Sequence, residues 1–106
     1  MRSGGAIMGD FTKAGLDKGD IEKELEHVLI SAKMLYRSYL ATIEDLTAEE
    51  LRYDLEEYRD QLKKNIMPLV GRAEATRNKK FINMAYEIRY LYEKIIESIE
   101  QRLNSF

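Results

Sequence analysis

The sequence contains no cysteine and no tryptophan, one proline and one histidine. Without cysteine there is no disulfide framework, no thiolate nucleophile and no Cys-ligated zinc. That absence fits a reducing compartment, and a cytoplasmic protein is the expectation. Long apolar runs are missing too. The longest span a few residues, against the ~20 that a membrane-spanning helix requires. Residues 1–9 lack the apolar core of a signal peptide, and no membrane partner is expected. Excess charge of one sign is also absent. A net charge of −2 sets up no global field that would recruit nucleic acid or an acidic membrane.

What is present describes a small folded domain. A chain of 106 residues is one domain by size and buries a modest core. Charged residues at 34% and hydrophobic ones at 44% place it among globular chains and outside the disordered class. Glycine is distributed unevenly: Gly4, Gly5, Gly9, Gly15 and Gly19 all precede residue 20. This divides the chain into a flexible N-terminal arm, residues 1–19, and a helical bundle domain, residues 20–106. Met8 offers an alternative start within the arm. Ile7, Met8, Phe11 and Leu16 give the arm apolar anchors for a groove of the body or of a neighbouring chain.

From Asp20 the pattern is helical. Asp20 is the expected cap, and Glu22 and Glu24 lie in the first turn, where the helix dipole favours negative charge. Ile21, Leu25, Val28, Ala32, Leu35 and Tyr39 recur at alternating spacings of four and three, the signature of an amphipathic helix. Leu29, Tyr36, Leu40 and Ile43 widen the stripe on one side. Ile30 and Met34 fall opposite it, so this helix asks for a second covering layer.

The segment Leu46-Thr47-Ala48-Glu49-Glu50-Leu51 marks the start of the next helix. Thr47 is positioned to cap, Glu50 to reach back to the Thr47 amide, and Leu46 to pack on Leu51 as a hydrophobic staple. Leu51, Leu55, Tyr58, Leu62, Ile66 and Leu69 form the apolar face. Glu49, Glu50, Asp54, Glu57, Asp60, Lys63 and Lys64 form the charged one. Pro68 lacks an N–H and clashes with the preceding turn. With Gly71 close behind, a kink or break is expected between residues 65 and 71. The last helix is expected to start between Thr76 and Asn78. Phe81, Ala85, Ile88, Tyr92, Ile95 and Ile99 form its stripe, while Tyr86 and Tyr90 point away. The fold class is all-α: a three-helix antiparallel bundle with helices at about 20–45, 47–67 and 77–104.

Few residues carry a chemical signal. Glu24 and His27 have the Glu-x-x-His spacing of carboxylate-bridged di-iron bundles, but such sites need two copies and this chain holds one histidine. Only a dimer would supply the second copy, and no metal or cofactor is expected. No serine–histidine setting and no Gly-rich phosphate loop stands out, so an enzyme is not expected. Arg72, Arg77, Lys79 and Lys80 lie within residues 68–80 against the single acid Glu74. They are candidate phosphate contacts, with Tyr86 and Tyr90 as stacking platforms. Tyr36, Tyr39, Tyr58 and Tyr92 belong to the core edge with hydroxyls open to water. Tyr53, Tyr86 and Tyr90 lie on outer faces, where tyrosine suits a protein interface.

Residues 46–103, with Leu46 and Leu51 opening a long polar-faced helix and Tyr90-Leu91-Tyr92-Glu93-Lys94-Ile95-Ile96 in the next, loosely resemble the helical domain of archaeal GINS replication proteins. A long helix before Leu46 and the lack of a small β-domain depart from that family. The residues themselves lead to a non-enzymatic helical interaction module or subunit of a larger assembly. A homodimer is expected through Ile30, Met34, Tyr53, Tyr86 and Tyr90. The alternative is a nucleic-acid-associated protein using the basic segment.

Overall fold

The computed structural model describes residues 18–106. The arm assigned to residues 1–19 therefore falls almost entirely outside the described residues. Helix α1 spans Lys18–Thr42, α2 Ala48–Gln61, α3 Met67–Ala75 and α4 Lys79–Asn104. Among the described residues there is no strand, and 92% are helical. Helix α1 is already formed at Lys18. Asp20 thus sits inside its first turn and complements the dipole instead of capping.

The corner between α1 and α2 forms as its residues dictate. A 3-10 turn, Ile43–Asp45, closes α1. The Thr47 hydroxyl then accepts from the Glu50 amide at 3.1 Å, and the Thr47 amide donates to Glu50 Oε1 at 2.9 Å. This is a complete capping box. Leu46 packs against the cluster that holds fully buried Leu51, completing the staple.

Pro68 does not end the second helix near residue 67. Helical structure runs on to Ala75 through a π turn at Leu62–Ile66, where the Met67 amide reaches back to the Leu62 carbonyl. Pro68 then stands in the first turn of α3, the helical position where proline is best tolerated. The expected discontinuity is thus a change of hydrogen-bond register, with the extra residue absorbed in one wide turn. The chain reverses next at Thr76–Asn78. Arg77 adopts a left-handed φ of 57°, the conformation that commonly terminates a helix. Asn78 caps α4, its Oδ1 accepting from the Phe81 amide at 3.2 Å.

Consecutive arms of the bundle run antiparallel. Helix α1 rises, α2 and α3 together descend, and α4 rises again between them. Cross-pairs record the register: Glu22 with Lys80, Lys33 with Glu87, and Arg102 with the Glu44 carbonyl. Helices α1 and α4 therefore run parallel. Helix α4 packs against α1, α2 and α3, which its clean stripe of Phe81, Ala85, Ile88, Leu91, Ile95 and Ile99 permits.

The core has two parts. At the base, Ile21, Leu25 and Ala32 of α1 meet Ile66, Leu69, Val70, Ala73, Phe81, Ala85, Ile88 and Leu91. At the top, Ile43, Leu51, Ile95 and Ile99 are ringed by half-buried Leu46, Leu55, Tyr39, Tyr58 and Leu103. No helix among the described residues is long and apolar enough to cross a membrane.

Candidate interaction surface

The outward residues of α1 are where the sequence pattern puts them. Ile30 is 59% exposed and Met34 63%, while Leu25 and Ala32 on the opposite side are sealed. Exposure follows from how α1 is held. Glu22 and Lys33 bind α4, and Glu24 and Tyr39 bind the descending arm. At about 100° per residue, Ile30 and Met34 point away from both neighbours. Tyr53 on α2 is 70% exposed. Its helix is oriented by Asp54, which faces α1, and by Arg59, which pairs with Glu100 of α4. Tyr53 follows Glu49 and precedes Glu57 by one turn each, and all three are exposed. The exposed apolar residues of α1 and the exposed tyrosine of α2 each face away from the packed stripe of their own helix.

Tyr86 and Tyr90 lie elsewhere, on the outward side of α4. Both are engaged within the chain. The Tyr86 hydroxyl donates to Glu74 Oε2 at 2.6 Å, and the Arg89 guanidinium lies 4.7 Å from its ring centre. The Glu74 carboxylate holds that phenol above its usual pKa, since ionisation would set two negative charges together. The Lys94 ammonium lies 5.9 Å from the Tyr90 ring centre and pairs with Glu97. The five candidate interface residues therefore divide: Ile30 and Met34 adjoin on α1, Tyr53 stands on α2, and the two α4 tyrosines are engaged within the chain.

The basic segment divides as well. Arg72 forms a two-pronged bond to Glu24, at 2.7 and 3.2 Å. That bond is the main reason its pKa is raised. Lys80 pairs with Glu22 at 2.7 Å. These two cations tie α3 and α4 to the start of α1. Arg77 and Lys79 form no ion pair among the described residues. Glu24, which the Glu-x-x-His spacing singled out, is taken by Arg72, and His27 is exposed. Among the described residues no group of three or more His, Asp or Glu side chains is arranged to hold a metal ion.

The tyrosines of the core edge form a chain that periodicity alone does not reveal. Tyr39 and Tyr58 meet edge to face with ring centres 5.5 Å apart, and Tyr58 meets Tyr92 at 6.2 Å. The Tyr39 hydroxyl is engaged within the chain. It donates to Asp54 Oδ2 at 2.7 Å, so Asp54 leaves the charged outer face and turns half-buried toward α1. Burial, and then the Asp54 carboxylate, raise the Tyr39 pKa above its usual value. The same two influences push Tyr58 up to about 12.

Beside this chain lies an open depression of about 300 Å³ lined by Leu46, Glu49, Glu50, Tyr53 and Asp54. Two of its three acids have structural duties, Glu50 in the capping box and Asp54 with Tyr39. Two exposed residues had no signal in the stripes: Met67, 43% exposed beside the π turn, and Phe106, which packs on the Arg102 guanidinium. Comparison with protein-family models, curated proteins and solved structures finds no match to this chain.

Proposed function

We propose that this protein is a non-enzymatic helical interaction module that associates with itself, as a small subunit or adaptor. The observation that carries this reading is the pair Ile30 and Met34, two large apolar side chains a turn apart on the outer side of a helix whose inner side is already filled. Burial of such side chains contributes about 1.5–3 kcal/mol each, and apolar side chains that adjoin on an exposed face are what a partner surface offers. The acids of the depression at Tyr53 are largely engaged in holding the fold, Glu50 in the capping box and Asp54 with Tyr39, which favours a structural role over general acid–base chemistry.

Nucleic-acid contact through Arg72, Arg77, Lys79 and Lys80 has less support. Two of the four cations are neutralised by α1 carboxylates, and each would have to leave its partner to meet a phosphate.

Light scattering on the purified chain tests the proposal. The parent is expected to be dimeric at ~10–100 μM, an ordinary range for a modest interface. The variant Ile30→Glu/Met34→Glu is expected to be a monomer with unchanged helix content. A monomeric parent, or a variant that associates as the parent does, overturns it.

A further inference from the structure

Outside its packed stripe, helix α1 carries a second one. Lys23, His27, Ile30, Met34, Arg37 and Ala41 recur at spacings of four, three, four, three and four, the interval of a seam between two helices. All six are exposed. Ile30 and Met34 lie at the centre of this seam, which is about 27 Å long at 1.5 Å per residue. The charges along its border have a definite arrangement. Glu26 follows Glu22 by one turn and Arg37 follows Lys33 by one turn, and both Glu22 and Lys33 bind α4. Glu26 and Arg37 therefore stand on the same flank of the seam, the one toward α4, about three turns apart. Both are exposed, and neither forms an ion pair among the described residues. An acid and a base at opposite ends of one flank make this helix face complementary to itself, and that identifies the occupant.

We propose that the partner is a second copy of this chain, packed α1 against α1 in antiparallel, with the two-fold axis crossing the seam midway between Ile30 and Met34. This rests on the self-association reading above and adds the surface, the polarity and the charge pairs. Such an axis reverses direction along the helix and keeps each flank on its own side. Ile30 then meets the partner's Met34, and Met34 meets the partner's Ile30. Lys23 lays its stem across the partner's Ala41, a small side chain that leaves room for it. Arg37 comes level with residues 26 and 27 of the partner subunit on the flank that carries Glu26, and so pairs with the partner's Glu26. Each contact is made twice, as an isologous interface requires. A parallel pairing has neither advantage. It stacks Lys23 and Arg37 on their own copies and leaves Glu26 and Arg37 about 16 Å apart along the axis. The apolar residues supply burial, and the Glu26–Arg37 pairs supply polarity and discrimination.

Swapping the charges separates this interface from any other. Glu26→Arg alone sets like charges opposite each other twice, and so does Arg37→Glu alone. Each is expected to weaken dimerisation about tenfold, read by sedimentation equilibrium. An equimolar mixture of the two variants restores opposite charges at both contacts, and so does a single chain carrying E26R and R37E together. Both are expected to return to near-parental affinity, which also excludes unfolding as the cause of the single-variant losses. Polarity is read by cross-linking, since the chain has no cysteine of its own. Under oxidation, Lys23→Cys mixed with Ala41→Cys is expected to give the mixed disulfide. Ala41→Cys alone is expected to give none, because its two copies lie about 27 Å apart along the axis. Suppose that the parent dimerises. If the single charge variants then dimerise equally well, if neither combination recovers affinity, if the mixed disulfide fails to form, or if A41C links to itself, this docking mode is wrong while self-association stands. A monomeric parent overturns both.

Discussion

The two ends of the bundle are built on different principles. The base is closed and almost entirely apolar. Ala32, Ala73 and Ala85, each sealed from solvent, let α1 and α3 approach α4 closely around Leu25 and Ile88. The ion pairs Glu22–Lys80 and Glu24–Arg72 lie outside it as exposed clasps. The top is more open. Four buried aliphatic residues are surrounded by half-buried ones, among them Tyr39 and Tyr58 with their polar ends. Small residues at the base allow close packing and leave little for a ligand or partner to enter. Large amphipathic residues at the top fill a wider gap while keeping hydroxyls near polar partners. The shallow depression at Tyr53 belongs to this wider end.

Truncating one fully buried isoleucine at each end tests that contrast most strongly. Ile88→Ala and Ile99→Ala both remove side chains with no exposure, and each is expected to cost about 2–5 kcal/mol. Ile88→Ala should cost more by about 1 kcal/mol, because three close-packed helices cannot collapse into the cavity. Denaturant midpoints at constant slope measure this. Equal losses would mean that the ends are packed alike.

The next effect is confined to the top and appears at alkaline pH. Tyr39 and Tyr58 have raised pKa values in the folded state, so they stay neutral where the unfolded chain ionises. Their contribution is complete below pH 10, the ordinary tyrosine value; that of Tyr58 is lost as pH rises toward about 12, and that of Tyr39 higher still. Partial exposure of both rings screens the effect to about 1 kcal/mol. Tyr58→Phe should flatten the stability profile between pH 10 and 12, and circular dichroism during denaturant titration reads it. An alkaline limb that the substitution leaves unchanged would locate the loss elsewhere.

The smallest effect belongs to the clasps at the base. Arg72→Ala breaks a two-pronged but exposed pair and is expected to cost under about 1 kcal/mol, less at high salt. A loss several times larger would make the clasp, and not the apolar base, the element that fastens α3 to α1.

Local rules made much of this fold legible. The capping box at Thr47, the cap at Asn78 and the stripes of α1 and α4 depend on neighbours three and four residues apart, and such contacts form wherever the chain is helical. The outward placement of Ile30 and Met34 follows from the same geometry. Other features depended on what crosses between helices. That Arg72 and Lys80 serve as clasps was hidden because their carboxylates lie 48 and 58 residues away in the chain. Asp54 reads as one acid among many until Tyr39 meets it from α1.

Pro68 shows the division most sharply. Its sequence signal announces an interruption, since a missing N–H and a bulky ring disturb any regular helix. Whether the interruption becomes a loop or a wide turn depends on whether continuing is worthwhile. Leu69, Val70 and Ala73 lie just beyond it and are buried against α1 and α4, so helix continues through a π turn to bring them there. Sequence alone determined where α2 and α4 start, which sides are apolar and where regularity must fail. Tertiary packing decided how the failure is resolved, which charges become clasps, and which acid meets Tyr39, because those outcomes depend on surfaces that only meet once the helices are assembled.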